Sequence, residues 1–292
     1  MAPAPYVAPV VNSESVFRTN LFEGKVLFCT GGGSGICRAM TESMMRHGAN
    51  AVIVGRKLDR LTKTAAELSQ STGKKCIPAQ ADVRQPKTLQ EAVTKTIHEF
   101  GRIDYVICGA AGNFLATIDG MSENAFRTVI EIDTLGTFHT IKATLPHVRE
   151  HKGAYIHVSA MLHYRGTPFQ VHVSAAKAAV DALSAVLAVE EGPKGVRSNV
   201  IAPGPIGETE GWDRLSNKSV PGGGVHFPLG RVGHVKDIEN ATVFLFSDAA
   251  SNITGQILPV DGAFTQVSGL SFPYPQAVLD TESVKHMIKP RL

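Results

Sequence analysis

Short β-branched apolar runs alternate with helix-length amphipathic stretches along most of this chain. Runs at Lys25–Thr30, Ala51–Val54, Lys75–Ala79, Ile103–Cys108, Ala154–Val158, Val196–Ile201 and Gln256–Val260 read as buried strands. Helical periodicity fills the intervals near residues 35–47, 57–70, 87–100, 122–150, 172–191 and 235–246. Strands that are apolar on both faces must be covered on both faces, and the intervening helices supply the cover. The pattern therefore predicts an α/β fold, a Rossmann-type doubly wound parallel sheet of about seven strands in a single domain. No internal repeat or low-complexity linker interrupts it. Residues 207–233, rich in Gly and Pro and including Pro221-Gly222-Gly223-Gly224, break the alternation and are expected to form a flap over the substrate. An arm (1–21) and a tail (266–292) flank the patterned domain, 22–265.

Composition narrows the partners. With 292 residues, 43% of them hydrophobic, the chain can bury one substantial core. A net charge of +3, without a basic stripe interleaved with aromatics, argues against nucleic acid and suits anionic, phosphate-bearing ligands. Cys29, Cys37, Cys76 and Cys108 form no Cys-x-x-Cys pair; two of them are expected in buried strands as small hydrophobes, in a reducing compartment. No apolar run approaches the ~20 residues of a membrane span. The Pro/Ala-rich start lacks the basic and apolar regions of a secretory signal, so the arm is expected to be loose or docked from outside. The chain closes Lys289-Pro290-Arg291-Leu292, which fits the small/basic/leucine pattern of a peroxisomal address read by an import receptor; a featureless tail is the alternative.

Candidate chemistry begins after the first strand. Thr30 is followed by Gly31-Gly32-Gly33-Ser34-Gly35-Ile36, leading into a helix. Glycines there allow a tight turn and let the backbone approach a pyrophosphate, which rests on the helix N-terminus. Cys37 stands where a last glycine is frequent, a small side chain for a close helix–strand contact. Arg56 ends the second strand and Arg60 follows; arginine can pair with a ribose 2′-phosphate, which favours NADPH over NADH. Asp82 and Val83 are placed to meet the adenine, and Cys108-Gly109-Ala110-Ala111-Gly112 gives small side chains where a cofactor passes.

With Thr30–Ile36, Asp82, a Lys177 segment, Pro203-Gly204 and Val260-Asp261-Gly262, residues 22–265 resemble the short-chain dehydrogenases/reductases. In that family Asn, Ser, Tyr and Lys do the chemistry. Lys177 matches, but the tyrosine position is Val173, the serine position is Ala160 beside Ser159, and the asparagine position is Asp133. These departures, with Asn113-Phe114 and the segment Ser174–Ala182, are similar to the 2,4-dienoyl-CoA reductases, and most of all to their peroxisomal branch, which also lacks the tyrosine. Tyr164 is two residues out of register with the tyrosine of the mitochondrial branch.

The resemblance implies hydride transfer from NADPH to the δ-carbon of a conjugated thioester. Negative charge then spreads to the thioester oxygen, and a proton on the α-carbon yields a 3-enoyl-CoA. No alkoxide forms, so a phenol directed at oxygen is dispensable. Asn113 is the candidate donor to the thioester oxygen, worth ~3–4 kcal/mol by analogy with oxyanion-hole donors. Lys177 is expected to hold the nicotinamide ribose, and Asp133 to hold the water that delivers the α-proton. Asp181, one helical turn past Lys177, could pair with it. His172 is expected to be packed or hydrogen-bonded rather than a second acid. By resemblance, Ala110, Pro203, Gly204, Ile206 and Thr209 contact the cofactor. Phe114 and Ser122–Asn124 flank the acyl and pantetheine portions, and Arg214 meets the anionic CoA. No metal is required, and the helices at 122–150 and 172–191 are expected to build a homodimer or homotetramer. Two alternatives stay open: another enoyl-CoA or carbonyl reductase using Tyr164 as its acid, and a catalytically silent nucleotide-binding scaffold.

Overall fold

The computed structural model describes residues 7–209, 212, 227–267 and 280–285. Seven strands form one parallel sheet: β1 (Val26–Thr30), β2 (Asn50–Gly55), β3 (Cys76–Gln80), β4 (Tyr105–Cys108), β5 (Ala154–Val158), β6 (Arg197–Pro203) and β7 (Ile257–Val260). Their spatial order is β3-β2-β1-β4-β5-β6-β7, so the connections reverse direction between β1 and β4. In an open α/β sheet that reversal opens a crevice at the carboxyl ends of the strands, where ligands bind.

Helices α1 (Gly35–Arg46), α2 (Leu58–Thr72) and α3 (Pro86–Phe100) serve the first half. Helices α4 (Glu123–Val129), α5 (Gly136–Glu150), α6 (Val171–Glu191) and α7 (Val235–Phe246) serve the second. On one face, Leu27, Cys29, Ile53 and Ile107 pack with Met40 and Met44 of α1 and Ile238 and Phe246 of α7. On the other, Phe28, Val52, Val106 and Tyr155 pack with Leu89 of α3, Ile141 of α5 and Leu187 of α6. Alternate residues of one strand thus feed opposite clusters, the cause of the continuous apolar runs.

Four details depart from the pattern or add to it. The periodicity over 122–150 is broken by a wide π turn, Ile130–Leu135, between α4 and α5. All four cysteines are buried and three of them, not two, lie in strands; Cys37 is in α1. Val171–Lys194 is long and apolar enough to cross a bilayer, yet half of its most apolar window is buried inside the fold, where α6 covers the sheet. The arm is docked rather than loose. Arg231 donates to the Ala8 carbonyl at 2.8 Å, Asn240 to Val11 at 3.0 Å, and the His47 ring engages Ser13 and the Arg18 carbonyl.

Candidate active site

The cofactor cradle is fixed by contacts that leave no room for side chains. Gly31 has φ of 77°, and a Cβ there would lie 2.8 Å from the Gly109 carbonyl oxygen. A Cβ on Gly32 would meet the Ile53 side chain at 2.6 Å. Thr30 staples the two loops, its Oγ accepting from the Gly109 N–H at 3.1 Å. Cys37 is explained by the same contact: its Sγ occupies the space that a Cβ on Gly109 would enter, at 2.1 Å. Close packing that a glycine in the helix often provides is supplied here by a glycine on the facing loop. Ser34 precedes α1, and its side chain caps nothing in that helix. Gly33, Gly35 and Ile36 complete the turn.

Arg56 and Arg60, expected to meet a 2′-phosphate, are exposed at the β2–α2 junction. Asp82 is partly occupied: Arg84 donates from Nη2 at 2.5 Å and from Nε at 3.0 Å. That guanidinium holds the Asp82 carboxyl below its usual range. Arg84 was missed from sequence; its only signal is a basic residue two positions past the aspartate. Val83 is buried, and Gly136 must lack a side chain because a Cβ there would come within 2.5 Å of the valine.

The reaction end sits across the crevice, at the start of α6. Lys177 and Asp133 are both buried and form an ion pair, Nζ to Oδ2 3.1 Å. Lys177 also donates to the Val158 carbonyl at 2.9 Å, and Asp133 Oδ1 accepts from the Gly112 N–H at 2.8 Å. The π turn is what points Asp133 inward, and such turns frequently mark functional sites. One carboxylate thereby joins the loop that borders the cofactor to the lysine of α6. Val173, at the tyrosine position, is buried against Val129 and Ala176, with Phe114, Ile130 and Leu162 around it. The space is filled with hydrocarbon.

Two predicted or adjacent site atoms, Asn113 Oδ1 and Ser159 Oγ, are buried without protein partners among the described residues, and the His172 ring lies against the Phe114 backbone. Phe114 stacks on His172 with ring centroids 4.2 Å apart. His172, expected to be packed or hydrogen-bonded, is buried and packed against Phe114. Asp181 does not pair with Lys177, contrary to the helical spacing. Its Oδ2 accepts from His163 Nε2 at 2.6 Å and from the Tyr164 hydroxyl at 2.5 Å, because Lys177 is held by Val158 and Asp133. Burial, then Asp181, push the Tyr164 phenol above its usual range.

Other predicted residues take structural duties as well. Ser122 caps α4, its Oγ accepting from the Ala125 N–H at 3.2 Å, and Asn124 is exposed in the first turn. Thr209 Oγ donates to the Ile206 carbonyl at 2.8 Å, and Ile206 bridges to Gly233. Gly204 abuts Asp261, which a Cβ would meet at 2.6 Å; this joins Pro203-Gly204 to Val260-Asp261-Gly262. Ala110 is half-buried beside the cradle. Arg214, most of the 207–233 flap and the terminal Pro290-Arg291-Leu292 lie outside the described residues.

A glycine cradle at the reversal point of a parallel sheet, faced by a buried lysine, fits a nicotinamide dinucleotide: the turn admits the pyrophosphate and only small groups line its path. The chain belongs to the short-chain dehydrogenase/reductase family of oxidoreductases, and the family model described as enoyl-(acyl carrier protein) reductase matches residues 31–265. It is 45% identical over 280 residues to peroxisomal 2,4-dienoyl-CoA reductase SPS19 [(3E)-enoyl-CoA-producing] of Saccharomyces cerevisiae, covering 94% of this chain and 96% of the relative. Identity to the peroxisomal 2,4-dienoyl-CoA reductase of Danio rerio is 46% over 250 residues, 85% of this chain and 83% of that one. Among solved structures, the citronellol catabolism dehydrogenase AtuB of Pseudomonas aeruginosa superposes with a TM-score of 0.76 at 30% identity, covering 86% of this chain and 99% of that chain.

Proposed function

We propose that this chain reduces 2,4-dienoyl-CoA thioesters to 3-enoyl-CoA with NADPH, in the β-oxidation of unsaturated fatty acids. The observation that carries the reading is the buried Asp133–Lys177 pair beside a tyrosine position plugged by Val173. A site for alcohol–ketone exchange needs an acid and base at oxygen. This site keeps the lysine, replaces the phenol with hydrocarbon and adds a carboxylate, which suits protonation at carbon. NADPH, when bound, supplies the hydride. Lys177 holds the ribose and sets a positive field. Asn113 donates to the thioester oxygen as charge gathers there, and Asp133 holds the water that gives the α-proton. Arg56 and Arg60 receive the 2′-phosphate. Phe114, Ser122, Asn124 and Arg214 line the acyl-CoA path.

The relatives' names support a peroxisomal matrix location reached through the import receptor. Exposed Leu135 and Phe138, with Val186 and Val189 on α6, support a homodimer or homotetramer.

The deciding assay follows NADPH oxidation by the purified chain with hexadienoyl-CoA and identifies the product. Consumption with formation of a 3-enoyl-CoA is expected. NADPH binding without oxidation would leave the silent scaffold, and turnover of secondary alcohols instead would overturn the reading.

A further inference from the structure

Arg231 lies just before α7, and its guanidinium meets five acceptors, as many as it has N–H groups. Nε donates to the Ala8 carbonyl at 2.8 Å and Nη2 to the Pro9 carbonyl at 3.1 Å. Nη1 donates to the Val232 carbonyl at 3.1 Å. Asp237 takes the other two, Oδ2 from Nη1 at 2.7 Å and Oδ1 from Nη2 at 2.8 Å. That carboxylate is itself fixed, because Oδ2 also accepts from the His234 N–H at 2.8 Å in the capping box of α7. A lysine here would keep the charge and lose the planar fork. Two more bonds hold the arm: the Ala8 N–H donates to the Leu229 carbonyl at 2.9 Å, and Asn240 Nδ2 to the Val11 carbonyl at 3.0 Å. Val7, Pro9 and Val10 are exposed, so this stretch of arm is held by hydrogen bonds more than by apolar burial.

The strip that the arm grips is joined to the segment after β6. The Gly233 N–H donates to the Pro205 carbonyl at 3.0 Å, and the Gly233 carbonyl accepts from the Gly207 N–H at 2.9 Å. The contact leaves no slack: a Cβ on Gly233 would lie 2.5 Å from the Ile206 side chain, and one on Gly207 would lie 3.2 Å from that of Val232. On the sheet side, the Gly204 N–H donates to the Val260 carbonyl at 3.0 Å. Pro203–Gly207 is therefore held by β7 from one side and by Leu229–Gly233 from the other, with the arm behind. Close-packed contacts of this kind pass a displacement on rather than absorb it.

We propose that Arg231 is a positioning residue for the cofactor: by clasping the arm against Leu229–Gly233, it sets the Pro203–Gly207 segment against NADPH. The arm is then a working part of the site. The inference rests on the reading that Pro203, Gly204 and Ile206 border the cofactor.

The test uses full-length variants. Ala8→Pro removes the N–H given to Leu229, and Asn240→Ala releases Val11; neither alters the Arg231–Asp237 pair. In the combined variant NADPH affinity, read by fluorescence titration, should fall about tenfold, within the range for residues that act on a site without touching it. The KM for NADPH should rise with it, while kcat at saturating NADPH and the KM for hexadienoyl-CoA hold. Arg231→Lys should lose NADPH affinity likewise, despite keeping its charge. Amide hydrogen exchange in the cofactor-free protein, which needs no turnover, should quicken at Gly207 and Gly233 in both variants.

Wild-type NADPH affinity in the combined variant or in Arg231→Lys would overturn the proposal. So would a fall in Tm and kcat at an unchanged KM for NADPH, the mark of a strut that serves folding alone. Exchange at Gly207 and Gly233 indifferent to the arm would overturn it as well. Should Arg231→Lys fail to fold, the combined variant decides. If the wild type binds NADPH but reduces no dienoyl thioester, the reductase reading falls, and the affinity and exchange comparisons still decide the role of the arm.

Discussion

The two sides of the crevice are built on opposite economies. On the adenosine side, β1 to α3, steric exclusion does the work: Gly31 and Gly32 are pressed against Gly109 and Ile53 so closely that no side chain fits. Buried polar atoms there are mostly paired, as with Thr30 and Thr64. On the reaction side, β4 to α6, polar groups are buried, and among the described residues Asn113 Oδ1 and Ser159 Oγ lack protein partners. That difference separates binding from chemistry, and each side can be broken independently.

The largest effect is expected at Lys177, the buried charge at the centre of the reaction side. Its replacement by Met leaves Asp133 buried with its charge unbalanced, which should destabilise the fold by about 3–5 kcal/mol. Turnover should fall by roughly 1,000-fold or more, as when a central electrostatic group is lost. Chemical denaturation and dienoyl-CoA kinetics measure the two effects. A variant with normal turnover would remove Lys177 from the chemistry.

Asp133→Ala comes next, and it probes the reaction side alone. The proton-delivery role predicts a loss of about 100-fold or more in turnover. NADPH affinity, read by fluorescence titration, should change by less than about threefold, because the cradle and its glycines stay in place. Equal losses in both quantities would make Asp133 a strut between Gly112 and Lys177 and nothing more.

On the adenosine side Arg56→Ala should shift the preference between NADPH and NADH by about tenfold, the worth of one charged contact of about 1.4 kcal/mol. Maximum turnover with saturating NADPH should hold. An unchanged cofactor ratio would refute the 2′-phosphate assignment and turn attention to Arg60 or Arg84.

The same division explains what could be read from sequence. Strands and cradle were legible because their cause is local: apolar runs covered on two faces, and glycines where backbones touch. Val173 at the tyrosine position was legible as a substitution, and Asp133 as its companion. The buried pairing of Asp133 with Lys177 was not, because a π turn, invisible in a periodicity that runs on through 122–150, is what turns Asp133 inward. The spacing of Lys177 and Asp181 suggested an i,i+4 pair, and the fold instead gives Asp181 to His163 and Tyr164 from an aperiodic loop. Helical spacing says which side chains could meet; it does not say which will meet a better partner elsewhere. The docked arm shares that long-range character, whereas Arg84 meets Asp82 only two residues away.

The smallest effect is expected at Tyr164, and it sharpens the comparison most. Tyr164 is the tyrosine nearest in sequence to Val173, and a carbonyl reductase of this fold would need its hydroxyl as acid. The hydroxyl instead donates to Asp181, and partial burial with the adjacent carboxylate holds the proton on oxygen. A catalytic phenol requires the opposite shift, toward the working pH. Tyr164→Phe should therefore leave turnover of hexadienoyl-CoA within about twofold while costing about 1 kcal/mol of stability for the lost hydrogen bond. Thermal unfolding and steady-state kinetics on the same preparation measure both. A large fall in turnover at unchanged stability would return the proton to a phenol and make Val173 a displaced position rather than a lost one.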